Sequence, residues 1–513
     1  MLDTRRRRRL GARTTYGVVA AAGVLAALLR VPFLRIGTYP DEGGMLVVAG
    51  QWHAGGPFLY GDVFLARPPL LILFFRLGDA LGGTVAVRAL GLGLVVVAVL
   101  SAAWAGSSLA GRRGAVTAAV VTAALLADPA IGTREIDAET VGLPLTMLGA
   151  ALVLAAWHGT RLRRLLWAAG GAAAVGALLC KQNLVDALVL GLALAVATGV
   201  LSGKRRRALA DLGWFALGAA LPLVATAVWL AAAGHSLNDV VYTLYGFRVS
   251  GGQTMLAHVT DAQGDRLSAL VEAAVRCGIV PLVLVSLWLL RRRLLRDPAV
   301  LALLAMLLTA LVGVAGGGGY WIHYDLGLVP VTALLTARAA PEARWPDRRT
   351  ERRTSDLVGW LLPVLVVATV VSSLLSTGSA FASRTPADRT WAGATASWLR
   401  QVQRPGDSLV VLYGQAALYD LTGLRPAYPY IWTLPMRVRD PHLSALETLL
   451  SGPRRPTFVV VDSPLDAWDI DPDESVQRTL DQHFRVLTTV CGATVYVAPG
   501  FARAAPPPPT GCA

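Results

Sequence analysis

Apolar segments of about 20 residues alternate with short charged loops along most of the chain. A helix of that length and composition spans the hydrocarbon core of a bilayer. The pattern therefore predicts eleven transmembrane helices. Their predicted ranges are 15–36, 84–107, 114–131, 140–157, 165–180, 184–201, 208–233, 270–290, 298–315, 326–337 and 357–376.

Basic residues are unequally divided between the two sides of the predicted membrane. If the five arginines at 5–9 lie in the cytoplasm, the inside segments hold 25 Lys and Arg, and the outside loops up to residue 325 hold six. The inside segments are 1–14, 108–113, 158–164, 202–207, 291–297 and 338–356. This excess follows the positive-inside rule and predicts an extracytoplasmic C-terminus. Because the N-terminus has no convincing cleavage site, we expect a retained first helix.

One apolar stretch, residues 68–81, is left out of this topology. It is only about 14 residues long, opens with two prolines and carries Arg76 and Asp79. A full crossing would invert the arginine bias of every later loop. We therefore predict an interfacial helix at the outer face, within an α-helical polytopic fold.

The chain beyond about Ser379 differs in kind, because short strand-like runs alternate there with amphipathic segments. Strands are predicted at 408–413, 457–462, 485–490 and 494–497, and helices at 391–403 and 474–483. We expect a transmembrane module over residues 1–376 and a small extracytoplasmic α/β domain over 377–505. The proline run in 506–513 predicts a disordered end.

Composition agrees with a membrane protein, since 54% of the residues are hydrophobic and only 16% are charged, against about 25% charged in soluble domains. The net charge of +14 does not indicate nucleic-acid binding, because the arginines lie in short loops between apolar segments. Cys180 and Cys277 lie in apolar runs and are expected to pack in the core. Cys491 and Cys512 would pair in an oxidising compartment.

Ionisable residues collect on the predicted outer side. Because charges at membrane depth are energetically costly, their positions indicate candidate functional residues. Loops that are distant in sequence open onto this one face, which predicts a shared extracytoplasmic cavity. Its candidate residues are Asp41, Glu42 and Asp62 in the first loop, Glu135, Asp137 and Glu139 in the second, Lys181 after a span, and His323, Tyr324 and Asp325 after a Gly-rich turn.

The same residues also have structural interpretations. Asp41 would be a helix N-cap, and the acidic connector at 134–139 would be a solvated loop. Lys181 would extend toward the lipid headgroups. His323 and Tyr324 would be interfacial anchors.

The first loop contains three motifs in a specific order. Tyr39-Pro-Asp-Glu is followed by Ala49-Gly-Gln-Trp-His-Ala-Gly-Gly-Pro-Phe-Leu-Tyr-Gly-Asp and by Ala66-Arg-Pro-Pro-Leu-Leu. The series resembles the first extracytoplasmic loop of the GT-C glycosyltransferases of the protein O-mannosyltransferase and aminoarabinose-transferase kind (family 39-like). Farther along, residues 134–139 resemble the family's second acidic loop. Cys180-Lys-Gln resembles its Thr-Lys-Gly segment, and His323-Tyr-Asp-Leu-Gly-Leu-Val-Pro its late Tyr-(apolar)-Pro helix start.

The resemblance implies a GT-C-like enzyme that moves a sugar from a polyprenyl-phosphate carrier to an acceptor hydroxyl with inversion, at the outer face of the plasma membrane. It implies Asp41 as general base and Glu42 as a second carboxylate. Arg67, and then Lys181, would bind the leaving lipid phosphate, and Asp137 would position the sugar or the acceptor. The other implied substrate-binding residues are Asp62, His323 and Tyr324. The interfacial helix would form part of the opening for the polyprenyl chain.

Other functions and details stay open at this point. A transporter or flippase of a lipid-linked glycan is the main alternative, although no internal repeat is evident, and a structural scaffold is a third. No cofactor is required, and a divalent metal is left open. A sugar-nucleotide donor is disfavoured because no phosphate-binding glycine motif is present. The sugar, hexosyl or pentosyl, and the acceptor are undetermined. Richness in Ala, Arg, Gly, Leu and Val suggests a GC-rich bacterial genome and favours an envelope glycan over a glycolipid or glycoprotein.

Overall fold

The computed structural model describes residues 2–52, 56–257, 259–343, 358–466, 470–509 and 512, with backbone alone for residues 2–13 and 358. Most of the predicted inside segment 338–356 and residues 53–55 of the first-loop motif lie outside the described residues. The helices before the C-terminal domain are α1 (Leu2–Arg30), α2 (Pro40–Gly50), α3 (Pro69–Gly82), α4 (Thr84–Ala127), α5 (Ala138–Trp157), α6 (Arg163–Leu178), α7 (Asp186–Leu201), α8 (Arg205–Ala232), α9 (Leu237–Val241), α10 (Phe247–Ala257), α11 (Asp261–Arg276), α12 (Ile279–Leu290), α13 (Pro298–Ala315), α14 (Val329–Ala339) and α15 (Val358–Ala382).

Six of the described helices are long and apolar enough to cross a membrane. These are α1 from Thr14, α4, α5, α8, α13 and α15, and a seventh span results if α11 and α12, bent by 57°, count as one. Their outer faces are apolar, as lipid contact requires; on α8 the exposed residues include Leu217, Leu221, Val224 and Val228. The chain is therefore a membrane protein with several apolar helices. The eleven crossings and the sides of the loops stay predictions.

Helix α4 contains two of the predicted spans and reverses direction between them. Gly111 has φ +61°, a conformation that only glycine adopts without strain. A Cβ on Gly106 would lie 2.3 Å from Gly114 O, although a straight helix would separate these residues by about 12 Å. The two halves therefore pack against each other as a tight helical hairpin, with small residues at the contact.

The predicted interfacial segment forms a separate helix, α3. Its 14 residues extend for about 21 Å, which is less than the ~30 Å of a bilayer core. One face, with Leu71, Ile72 and Phe75, is fully buried, whereas Leu73 and Leu77 are exposed. This apolar outer face is compatible with the predicted place at the membrane surface, which stays a prediction.

The C-terminal domain is a mixed five-stranded sheet with helices around it. The strands are β1 (Ser408–Leu412), β2 (Arg425–Pro426), β3 (Phe458–Val461), β4 (Arg485–Val490) and β5 (Ala493–Val497), in the order β2-β1-β3-β5-β4. The helices are α16 (Trp391–Val402), α17 (Ala417–Thr422), α18 (Thr433–Arg439), α19 (Ser444–Ser451) and α20 (Ser475–His483). Strand β1 is parallel to β2 and β3, and β5 is antiparallel to β3 and β4. The four predicted strands and two predicted helices are confirmed.

The proline-rich end, for which composition predicts disorder, is attached to the domain at two points. Cys512 forms a disulfide with Cys491, which confirms the proposed pairing. Pro506 O accepts a hydrogen bond from Trp398 Nε1 at 3.0 Å. The other two cysteines are free and buried, as expected. The domain also packs on the membrane part, with α17 against α2 and α18 against α10, and Pro429 O accepts the N–H of Phe64 in the first loop.

Candidate active site

The two adjacent carboxylates in the first turn of α2 have different surroundings. Glu42 is fully buried, and its Oε1 accepts hydrogen bonds from Arg88 Nε and from the backbone N–H of Ile136, both at 2.9 Å. Its Oε2 accepts the N–H of Tyr39, the N-cap residue, at 3.3 Å. The N-cap interpretation of Asp41 is therefore wrong, because Glu42 closes the capping interaction.

Asp41 is half-buried and faces the C-terminal domain. Its Oδ1 accepts a hydrogen bond from Trp432 Nε1 at 3.0 Å. Its charge also acts on Arg248 and Tyr324, so Asp41 lies near those side chains. A general base for a hydroxyl acceptor must be accessible to its substrate, and Asp41, unlike the fully buried Glu42, is partly exposed.

The acidic connector is folded inward. Asp137 is the N-cap of α5, and its Oδ1 accepts the N–H of Thr140 at 2.9 Å. Asp137 and Glu139 are 2% and 3% exposed, so the interpretation as a solvated loop is wrong for both. His323 is also buried, with Nδ1 3.7 Å from Asp137 Oδ2 and 3.8 Å from Glu135 Oε1. Its place as an interfacial anchor is therefore excluded.

Glu135, Asp137 and His323 fit a divalent cation. Their ligand atoms all lie within 4.8 Å of one another, and an imidazole with two carboxylates is a donor set that transition metals accept. Asp137 Oδ2 is buried and has no hydrogen-bond partner, so a cation would satisfy it. Burial lowers the pKa of His323, but the carboxylates of Asp137 and Glu139 outweigh burial and raise that pKa to about 9. The cluster thus attracts positive charge.

Lys181 lies on the opposite side of Glu139 and does not extend to the headgroups. It is 6% exposed, its ammonium donates to Glu139 Oε1, and its Nζ lies 4.4 Å from the ring centroid of Tyr324. Burial, and the positive charge of Arg67, lower the pKa of Lys181, whereas Glu139 opposes both. Lys181 and Arg67 are therefore close enough to repel each other.

A third cation, Arg248 on α10, joins this group. Burial and the nearby charge of Arg67 lower the pKa of Arg248 to about 9. The backbone between them is fixed, because Ala66 O accepts from Arg248 at 2.7 Å and from Gln182 Nε2 at 2.9 Å. Tyr60 OH donates to Arg67 O at 2.6 Å. Three buried or half-buried cations at one place favour binding of an anion.

A small cavity adjoins these groups and extends toward α7 and α13. Its lining includes Glu139, Asn183, Asp186 and Tyr324 together with apolar residues of α13. Asp186 is 2% exposed, and its Oδ1 has no hydrogen-bond partner. The exposed Asp62 is not brought to this place; within the described residues we find no hydrogen bond or ion pair that joins it to the other candidates.

Four residues that contribute to this site are not among the candidates nominated from the sequence. Arg88 and Asp186 lie in predicted spans, where periodicity indicates only a helix. Arg248 is one of six outer basic residues, and Trp432 is an aromatic residue in a soluble-looking segment. A charge inside a predicted span is a functional signal in its own right, and it would have selected Arg88.

No protein-family model and no curated protein matches the sequence. In structure, the chain is similar to ArnT from Cupriavidus metallidurans bound to undecaprenyl phosphate, with 14% identity, a TM-score of 0.56, and 97% of this chain and 99% of that chain covered. It is also similar to the archaeal oligosaccharyltransferase AglB from Archaeoglobus fulgidus in complex with an inhibitory peptide and a dolichol-phosphate. The identity there is 12% and the TM-score 0.55, with 95% of this chain and 75% of that chain covered. For a complex of that organism's oligosaccharyltransferase with Zn and sulfate, the identity is 12% and the TM-score 0.52, with 86% of this chain and 68% of that chain covered. At these identities the likeness shows the fold.

Proposed function

We propose that this chain, which has the GT-C fold expected from its motifs, is a membrane glycosyltransferase with a polyprenyl-phosphate-linked donor. The observation that carries the proposal is the group of three cations, Arg67, Lys181 and Arg248. The Ala66 carbonyl, next to Arg67, accepts from Arg248 and from Gln182, next to Lys181, and the charge of the half-buried Asp41 acts on Arg248. Structures with the same fold hold undecaprenyl phosphate and dolichol-phosphate, which supports the donor class. A flippase of a lipid-linked glycan is not favoured, since the neighbours in structure are transferases.

The cations bind the phosphate of the lipid carrier. Arg67 and Arg248 offer planar guanidinium groups that hold phosphate through paired hydrogen bonds, whereas Lys181 adds a point charge. The Lys181 ammonium lies over the Tyr324 ring and pairs with Glu139, two residues that line the cavity. Fixed cations at this place stabilise the charge that develops on the phosphate as the sugar departs.

Asp41 is the general base. The acceptor oxygen forms a bond to the anomeric carbon while the bond from that carbon to the phosphate oxygen breaks. Asp41 takes the hydroxyl proton, and the polyprenyl phosphate leaves with the bonding electron pair. Attack from the face opposite the phosphate gives inversion. Asp137 positions the sugar or the acceptor, and Glu139 orients Lys181 through their ion pair.

A divalent ion is compatible with this site. Glu135, Asp137 and His323 would hold it, and when bound it would supply a Lewis acid to the site. The roles of Asp41 and the cations do not depend on it. A panel of donors and acceptors must identify the sugar and the acceptor. We favour an extracytoplasmic envelope glycan as the acceptor class.

The test is transfer of radiolabelled sugar from a panel of polyprenyl-phosphate donors to an envelope extract, with the purified protein in detergent. Wild type should transfer from at least one donor, and Asp41→Asn should lose at least about a hundredfold in rate. Asp79→Asn, an exposed carboxylate on α3, is the matched control and should keep wild-type activity. Failure of wild type on the whole panel, or full activity of Asp41→Asn, would refute the proposal.

A further inference from the structure

The C-terminal domain contacts the candidate base directly. Trp432 lies in the segment between β2 and α18 and donates its indole N–H to Asp41 Oδ1 at 3.0 Å. The two residues are 391 positions apart in the sequence. A hydrogen bond to an ionised acceptor is stronger and more directional than one between neutral groups.

Two glycines on α2 allow this close approach. A Cβ on Gly43 would lie 2.5 Å from Ala417 Cα, and a Cβ on Gly44 would lie 2.2 Å from Trp432 Cζ2. Real Cβ atoms do not approach other atoms so closely, so any other residue at these positions would force the domain away from α2. The glycines thus bring the backbone of the helix that carries Asp41 against the C-terminal domain.

The segment around Trp432 is itself held in place. Pro429 O accepts the backbone N–H of Phe64, in the first loop, at 3.0 Å. On the other side, a Cβ on Gly414 would lie 2.6 Å from Thr433 Oγ1, so the end of β1 packs directly against the start of α18. The indole is therefore presented from a fixed backbone and not from a free loop.

We infer that Trp432 is a positioning residue for sugar transfer, and that the C-terminal domain is in this way part of the active site. The inference rests on the proposed function. A half-exposed aspartate samples several side-chain rotamers, whereas a general base must lie within about 3 Å of the proton that it accepts. The indole N–H holds Asp41 in the one rotamer that faces the C-terminal domain. Among the described residues we find no hydrogen bond or ring contact between Trp432 and the three cations, so we expect Trp432 to affect the rate of transfer and not donor binding.

The experiment measures kcat and donor KM for full-length Trp432→Phe, together with binding of undecaprenyl phosphate. Phenylalanine keeps an aromatic ring and removes the donor. We expect kcat to fall roughly tenfold to a hundredfold, as for loss of a hydrogen bond to a charged group, with KM and binding changed less than about twofold. Trp398→Phe is the matched control, because its indole bond, to Pro506 O, lies within the same domain; it should keep wild-type kcat.

A second variant changes the α2 side of the contact between Trp432 and Asp41. Gly44→Ala should lower kcat by displacing the indole, whereas Gly213→Ala, which has open space around its Cβ, should not. Combined with Trp432→Phe, Gly44→Ala should add less than it does alone, because Trp432 Cζ2 is absent and only Ala416 Cβ, at 2.8 Å, still opposes the new methyl group. Unchanged kcat in Trp432→Phe, or an equal fall in Trp398→Phe, overturns this inference alone. A wild type that transfers no sugar overturns the proposed function, and the inference with it.

Discussion

The pair Glu42 and Arg88 gives the sharpest structural prediction. Both side chains are buried, at 0% and 3% exposure. Besides Glu42, the guanidinium donates to four backbone carbonyls, those of Phe33 at 3.2 Å, Leu34 at 3.5 Å, Ile36 at 2.8 Å and Gly37 at 2.9 Å. Arg88→Met would leave a buried carboxylate without its cation and four carbonyls without their donor. Removal of one partner from a buried ion pair costs about 3–5 kcal/mol, and we expect a loss of that size.

Unfolding of the purified protein in detergent, followed by temperature or denaturant, measures this loss. Arg76→Met is the control, because Arg76 is exposed and donates to a single carbonyl, Trp52 O; its cost should stay below about 1 kcal/mol. Addition of Glu42→Leu to Arg88→Met should recover part of the loss, since two apolar partners need no counter-charge. A loss below 1 kcal/mol for Arg88→Met, or a double variant less stable than the single one, would show that the pair does not anchor α2.

Two further outcomes test the site and the C-terminal domain. Arg248→Gln should raise the donor KM roughly tenfold or more by loss of a charged phosphate contact, whereas the exposed Arg276→Gln should not; equal KM values would remove Arg248 from the phosphate site. Burial raises the pKa of Asp407, but hydrogen bonds from Arg503 outweigh it and lower that pKa. This pair therefore stabilises the domain above the unfolded pKa of about 4 and loses its effect as pH falls through the folded value. Arg503→Gln should cost up to ~1 kcal/mol near pH 7 and progressively less in acid, and a pH-independent cost would contradict the assignment.

The helices and strands were predictable where burial imposes a long or regular pattern. Each predicted span overlaps a helix, because lipid and protein core both select continuous apolar residues. The strands β1, β3, β4 and β5 follow from short β-branched runs. Strand β2 has only two residues and no pattern to read. The reversal in α4 depends on the backbone of Gly111, which a sequence with 52 glycines does not single out.

The residue types at the site could be predicted from the sequence, whereas the contacts that these residues make could be predicted less well. The ordered motifs nominated Asp41, Arg67 and Lys181, and the charges of Asp41 and Arg67 both act on Arg248, while that of Arg67 also acts on Lys181. They did not indicate that Lys181 pairs with Glu139, or that Trp432 reaches Asp41 over 391 positions. Such contacts depend on how separate elements pack against each other, and the spacing of residues along the chain does not reveal them.

The adjacent residues Asp41 and Glu42 illustrate why type alone does not assign a role. Neighbouring positions on a helix point about 100° apart, so the two carboxylates face different environments. Glu42 accepts hydrogen bonds from Arg88, Ile136 and Tyr39. To take a proton from an acceptor, it would have to abandon these donors and leave the Arg88 charge buried without a counter-ion. Asp41 can take that proton without breaking a buried ion pair. We infer that the Asp-Glu motif supplies one base and one anchor, in which Glu42 fixes the helix that presents Asp41.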